Sequence, residues 1–341
     1  MKKSLMTLGV LALFVLMAYG QEKKFALYSV AFYNMENLFD TIHDEGKNDY
    51  EYLPNGTNQW NTMKYKAKLK NMSEILSLLS TDKLPMGPAI IGVSEIENYR
   101  VLEDILKQPA LADRGYRYVH YEGEDQRGVD CAFFYNPKLF ELTNSKLVPY
   151  VYINDTVHKT RGFLIASGNI AGEKMHFIVN HWPSRAAASP ARERAGEQVR
   201  AIKDSLLRED SAAKIVIMGD MNDDPMDKSM AVALGAKRKP VDAGPTDLYN
   251  PWWDTLKKGY GTLMYKGKWN LFDQIVFTGN LLGTDRSTLK FYKHEIFSRD
   301  FMFQKEGKYK GYPKRTQAGG VWLNGYSDHL PTIIYLIKEV K

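Results

Sequence analysis

The sequence predicts an α/β fold in which a mixed sheet, or two packed sheets, is flanked by helices. Apolar, β-branched runs recur along the chain, and several are apolar at both parities, as strands covered on both faces are. Two other segments carry the helical period instead. Strands and helices alternate unevenly, with some strand pairs lacking a helix between them, which argues against a simple doubly wound sheet.

The strand-like runs lie at residues 27–33, 89–93, 116–120, 129–135, 163–167, 175–179, 214–218, 274–277 and 332–337. Between the first two, Tyr65, Leu69, Met72, Leu76 and Leu79 step by four and three and so share one helical face. Ahead of the seventh run, Ser189 is placed to cap a helix, Pro190 suits its first position, and Ala195, Val199, Ile202 and Leu206 form its apolar stripe. Residues 244–270, rich in Trp, Tyr, Gly and Pro, read as an ordered surface loop with or without short strands, on which Trp252 and Trp253 are available to touch lipid or sugar.

A chain of 341 residues that is 44% hydrophobic and 25% charged can bury a large core, and no repeat or Pro/Ser-rich linker divides it. Residues 1–20 pair two lysines with an apolar stretch and end in Ala18-Tyr19-Gly20, the form of a cleaved secretory leader. One domain over residues 21–341 is then expected, secreted or periplasmic, monomeric and with no stable membrane anchor. Cys131 is the only cysteine, so no intrachain disulfide forms and stability must come from packing. The formal charge of +6 falls to +4 once Lys2 and Lys3 leave with the leader, a mild balance that suits an anionic substrate without demanding one.

Five clusters rich in acid, Asn and His sit at the ends of these runs. Asn34-Met35-Glu36-Asn37, Ser94-Glu95-Ile96-Glu97-Asn98, Asn180-His181-Trp182-Pro183-Ser184-Arg185 and Gly219-Asp220-Met221-Asn222-Asp223 each follow one. Ser327-Asp328-His329-Leu330 precedes the last. A sheet would deliver their side chains to a common rim, and the residue types suggest metal-assisted hydrolysis. Glu95 suits a hard divalent ion such as Mg²⁺. Asn34 and Glu36, two apart in extended chain, are expected to point the same way, toward a phosphate oxygen and a metal-bound water. Asp220 can align or deprotonate a water while Asn222 donates to the oxygen that gains charge. Taken singly, each cluster has an ordinary reading: Glu95 as a surface ion pair, Asn34 and Glu36 as loop formers, a lone His as structural. Asp223 and Asp224 raise the rival of a calcium loop, but Pro225-Met226 breaks its alternation. Arg127, opening a strand, suits a forked contact to phosphate. The segment 305–316 sets Lys308, Lys310, Lys314 and Arg315 among Tyr309 and Tyr312, either a solvated loop or a surface for a phosphate backbone and its bases.

Taken in order, the clusters resemble the endonuclease/exonuclease/phosphatase superfamily, deoxyribonuclease I-like enzymes, over about residues 32–330. The resemblance implies a four-layered α/β sandwich with two central sheets and helices outside. It implies Glu36, Glu95 and Asp328 at the metal, Glu95 being the principal ligand, with Mg²⁺ or Mn²⁺ as the cofactor. It implies catalytic roles for His181, Asp220, Asn222, Asp273 and His329, Asp273 orienting the His329 ring; by their own chemistry, Asn34, Arg127, Lys314 and Arg315 are the expected substrate contacts. Glu36 stands where some relatives have Asp. The expected activity is a divalent-metal-dependent phosphoesterase, foremost an endonuclease-like phosphodiesterase of nucleic acid, alternatively an enzyme of phospholipid, inositol phosphate or other small phosphate esters. A binding module on the same scaffold is the competing class, and the intact set of acids, amide and histidines argues against it.

Overall fold

The computed structural model describes residues 23–153, 155 and 157–340, so the expected leader lies outside the described residues. Its strands are β1 (Lys24–Leu38), β2 (Ile90–Ile96), β3 (Arg117–His120), β4 (Asp130–Tyr135), β5 (Phe140–Val148), β6 (Phe163–Ile170), β7 (Glu173–His181), β8 (Lys214–Asp220), β9 (Leu248–Tyr249), β10 (Leu263–Tyr265), β11 (Lys268–Asn270), β12 (Asp273–Thr278), β13 (Lys290–Ile296), β14 (Gln317–Ala318), β15 (Val321–Trp322) and β16 (Thr332–Val340). The helices are α1 (Thr62–Leu78), α2 (Tyr99–Leu106), α3 (Ser189–Glu209) and the short α4 (Trp253–Lys257).

Two six-stranded sheets form, in the orders β13-β16-β1-β2-β4-β3 and β5-β6-β7-β8-β12-β9. Each is built around one parallel pair, β1 with β2 and β7 with β8. Antiparallel strands flank both pairs in matching positions: β16 beside β1 and β12 beside β8, β4 beside β2 and β6 beside β7. Strand alternation then sorts the core into layers. Val30 and Phe32 of β1 meet Val216 and Met218 of β8 between the sheets. Ala31 and Tyr33 turn outward to the α1 and α2 layer, and Ile215 and Ile217 to α3. This is the expected four-layered sandwich, and burying each of its Val, Ile, Phe and Met side chains contributes roughly 1.5–3 kcal/mol. The sheets approach so closely at Gly92 that a Cβ there would meet Met218 Sδ at 2.5 Å.

Several expectations change. Strands β5 and β13 were not foreseen, because each leaves many residues exposed or half-exposed rather than showing an apolar run. Ala188 occupies the cap position of α3, and the Ser189 hydroxyl instead donates to Glu193. Residues 244–270 contain the short strands that their composition left open, together with a short helix. They supply β9, α4 and the β10–β11 hairpin, and Trp252 is fully buried between the sheets, its Nε1 donating to the Ile275 carbonyl at 2.9 Å. Trp252 is therefore a core residue and does not meet ligand.

Candidate active site

The strands β1 and β8 end in the same way. The Glu36 amide donates to Asn34 Oδ1 (2.8 Å), and the Asn222 amide donates to Asp220 Oδ1 (2.9 Å), each a side-chain-closed turn that needs a short acceptor at its first position. Glu36 (φ 45°), Asn37 (φ 53°), Glu95 (φ 60°) and Asn222 (φ 52°) all take left-handed backbone that non-glycine residues seldom adopt, and such strain gathers at functional sites. The turn at β1 also breaks strand alternation, which overturns the expectation that Asn34 and Glu36 point the same way.

Asn34 points to the junction of the two sheets. Its amide donates both to Glu95 Oε1 (3.1 Å), at the end of β2, and to Asp220 Oδ2 (3.0 Å), at the end of β8. With no exposed surface it cannot touch substrate as expected, and instead fixes the two carboxylates. Glu95 Oε2 accepts from the Asn37 amide (2.8 Å). His181, closing β7, places Nε2 at 3.7 Å from Glu95 Oε1 and 3.8 Å from Asp220 Oδ2. His329 enters from the loop before β16. Its Nδ1 donates to Asp273 Oδ2 at 2.7 Å, and its Nε2 lies 3.9 Å from both Asp220 Oδ2 and Asp328 Oδ1. Ser327 fixes that loop by donating to the Asn34 carbonyl while accepting from the His329 amide. The sandwich thus brings Glu95, His181, Asp220, Asp273 and His329 together as expected. Asn222 stands beside them, its amide donating to the Trp182 carbonyl at 3.0 Å.

Burial sets the charge pattern. It pushes the Asp220 carboxyl up to about 7 against the pull of His329, and Asp273 and Glu95 push the same way. Burial, with Arg161 and Arg127 nearby, holds His181 well below the ordinary histidine value, so this ring is neutral. Burial opposes the charge on His329 too, but Asp273 and Asp220 overcome it and raise the ring well above its ordinary value. One histidine is a neutral base and the other an imidazolium, with Asp220 between them.

Glu36 and Asp328, expected at the metal, are joined to each other through Arg315 in this structure. Glu36 accepts from Arg315 Nε (2.9 Å) and the Thr316 amide (2.6 Å), and Arg315 also donates to Asp328 Oδ2 (2.9 Å). Arg315, expected to contact substrate, is spent as a clamp between the two acids. Lys314 is half-buried and its side chain has no hydrogen-bond partner among the described residues, so it is available to solvent. Arg127 lies half-exposed beside Asp125 (3.5 Å) at the edge of the site. Asp223 is held by Arg192 (2.8 Å) and Ser229, and Asp224 accepts from the Leu271 amide, so these acids brace a loop rather than hold calcium.

Two contributors escaped the sequence reading. Arg161, buried before β6, donates to the Trp182 carbonyl (2.8 Å) and to Asp125 (3.1 Å), backing His181 with a fixed cation. Lys68, buried on α1, donates to Thr316 Oγ1 (2.5 Å) and the Tyr326 carbonyl (2.6 Å) and stands 3.8 Å from Glu36. Its position one turn before Met72 was the available signal, a lysine within the buried stripe. Burial and the nearby Asp328 push the Glu36 carboxyl up to about 7, against Lys68 and Arg315. A carboxyl raised on folding holds a proton that the unfolded chain has lost, so stability drawn from it is full below about 4.5 and fades as pH rises to about 7. In metal-free protein, the melting temperature should therefore fall relative to Glu36→Gln across that window. A constant difference between the two proteins would show that Glu36 does not titrate there.

A model of the Endonuclease/Exonuclease/phosphatase family matches residues 29–338. The chain belongs to that family. Solved structures share its fold. A family protein from Bacteroides thetaiotaomicron has a TM-score of 0.58 at 15% identity, over 93% of this chain and 97% of that one. A mannosyl-6-phosphatase from the same organism has 0.56 at 15%, over 91% and 99%. D. rerio TDP2 complexed with a single strand DNA product has 0.53 at 15%, over 91% and 99%. No curated protein matches the chain by sequence.

As a member of the endonuclease/exonuclease/phosphatase family the protein is a divalent-metal-dependent hydrolase of phosphate esters. The residues present fit such an ion. Ligand atoms of Glu95, His181 and Asp220 lie within 4.8 Å of one another, an oxygen-rich set with one neutral imidazole. A second group, Asp220, Asp273 and His329, is equally compact, and within it His329 Nδ1 is already paired with Asp273 Oδ2 at 2.7 Å. Among the described residues no helix is long and apolar enough to cross a membrane.

Proposed function

We propose that the protein is an exported, Mg²⁺- or Mn²⁺-dependent, endonuclease-like phosphodiesterase of nucleic acid. The observation that carries the substrate class is a basic and aromatic ridge continuous with the chemical centre. Strand β10 starts at Leu263, bridged to His329 itself, and the turn of its hairpin is held where the Gly267 amide donates to the Tyr312 hydroxyl at 2.6 Å. Exposed Tyr265 carries Lys266 over its ring (5.3 Å), and exposed Tyr309 carries Lys308 (5.5 Å). Cations for phosphates beside rings for bases are what a single strand requires. The fold shared with TDP2 bound to a DNA product supports the same reading.

A divalent ion held at Glu95, with His181 and Asp220 around it, would neutralise the phosphate and stabilise the leaving oxygen. Asp220, fixed by the Asn34 amide at 3.0 Å, accepts a proton from water and aligns it for in-line attack. Asp273 keeps His329 protonated, with Nε2 facing the centre to donate to a phosphate oxygen. Asn34 holds Glu95 and Asp220 in register, and Asn222 adds a neutral donor at the rim.

One assay tests metal and substrate together. Cleavage of single-stranded DNA and RNA should stop in chelator and return with Mg²⁺ or Mn²⁺. Neutralising Lys266, Lys308 and Lys310 should weaken binding and flatten its dependence on salt, with the maximal rate little changed. Activity in chelator would remove the metal, and an unchanged salt slope would return the ridge to solvated surface. Export is tested separately by the intact mass of protein from the native host, which should begin near Gln21; retained Met1 would contradict it.

A further inference from the structure

Beside the centre, on the β1 side, a polar cleft of about 190 Å³ opens between the loop ahead of α1 and the β14–β15 hairpin. Its lining brings together Asn37, Glu51, Tyr52, Asn58 and Gln317, and among the described residues none of these five side chains has a hydrogen-bond partner. Tyr52 is fixed in place, stacked on Phe39 (centroids 4.1 Å, 7°) and set edge-on to Trp60. The Asn37 amide donates to Glu95, so one wall of the cleft is joined to the metal-side carboxylate. Polar groups that fold into one half-buried cleft without satisfying each other leave donors and acceptors for a ligand.

The charges decide what kind of ligand. Glu51 faces the cleft with no ion-pair partner among the described residues, and the one cation lining it among those residues, Arg315, is already committed to Glu36 and Asp328. A second phosphate would therefore be repelled, while an uncharged ring with its own donors and acceptors would be held. We propose that this cleft is a nucleoside subsite, taking the base and sugar on one side of the scissile phosphate. The inference rests on the nucleic-acid reading above and adds that a particular neighbouring nucleoside is gripped. Cleavage is then favoured where a base occupies the cleft, and the ridge beyond β10 carries the rest of the strand.

The test compares a dinucleotide with bis(p-nitrophenyl) phosphate, a diester with no nucleoside, on the metal-loaded wild type and on Tyr52→Phe, Asn58→Ala and Gln317→Ala. None of these residues belongs to the chemical centre, and Tyr52→Phe keeps the ring, so folding is preserved and can be checked by melting temperature. The expected result is a rise in KM of about tenfold for the dinucleotide in the combined variant, with kcat/KM for the bare diester unchanged. Equal losses on both substrates, or no loss on either, would overturn the subsite while leaving the nuclease reading intact. A wild type that cuts the bare diester but no dinucleotide, DNA or RNA would overturn the nuclease reading and the subsite with it. A selective KM effect on hexose phosphates alone would reassign the cleft to a sugar and overturn the nucleoside assignment.

Discussion

His329→Ala is expected to lower turnover by about a hundredfold or more, because it removes the imidazolium whose Nε2 faces Asp220 at 3.9 Å. Asp220→Asn keeps the shape, but the amide cannot take a proton from water, so kcat should collapse while substrate affinity changes little. Asp220 closes β8 and His329 lies in the loop before β16, neither within the apolar layers, so the fold should survive either change. Since the two side chains act on one reacting group, the double variant should be little worse than the worse single. Steady-state kinetics on folded variants decide this. Near-native turnover in either single variant would remove that residue from the mechanism.

Trp252→Ala should cost about 3–5 kcal/mol of stability, the range for emptying a large aromatic site in a packed core. The ring has no exposed surface, packs among residues of both sheets and donates to the Ile275 carbonyl on β12, the strand that also carries Asp273. Denaturant unfolding should show the loss, while kcat of the protein that remains folded stays near wild type. The opposite pattern, a raised KM with unchanged stability, would restore Trp252 to the surface and to ligand contact.

The contrast between these two residues shows what could be read from the chain. Central strands were legible because burial on both faces leaves an unbroken apolar run, and the reactive residues were legible because each interrupts such a run where a sheet edge must lie. Asp273 and His329, 56 residues apart, carry no spacing signal, and their pairing followed only from the family resemblance. Asn34 was placed at the site, but its role as a bridge between Glu95 and Asp220 depends on how one sheet lies over the other. Lys68 and Arg161 were missed because the sequence reading places buried cations on the surface unless a partner is in view. Their partners, Glu36 and Thr316 for one and Asp125 and Trp182 for the other, come from distant segments. Trp252 was misplaced because its neighbourhood is rich in glycine and proline, which describes the backbone around it and not the direction of its ring.

The Asn34 amide has one further consequence. It spans the seam, with Glu95 supplied by one sheet and Asp220 by the other. Neither half of the molecule holds a partial enzyme. A chain in which both sheets had formed but not yet docked would carry every reactive side chain and hydrolyse nothing. The appearance of activity during refolding therefore marks the closing of the sandwich itself, and a newly made chain stays harmless to phosphate esters until strand β16 has been laid beside β1.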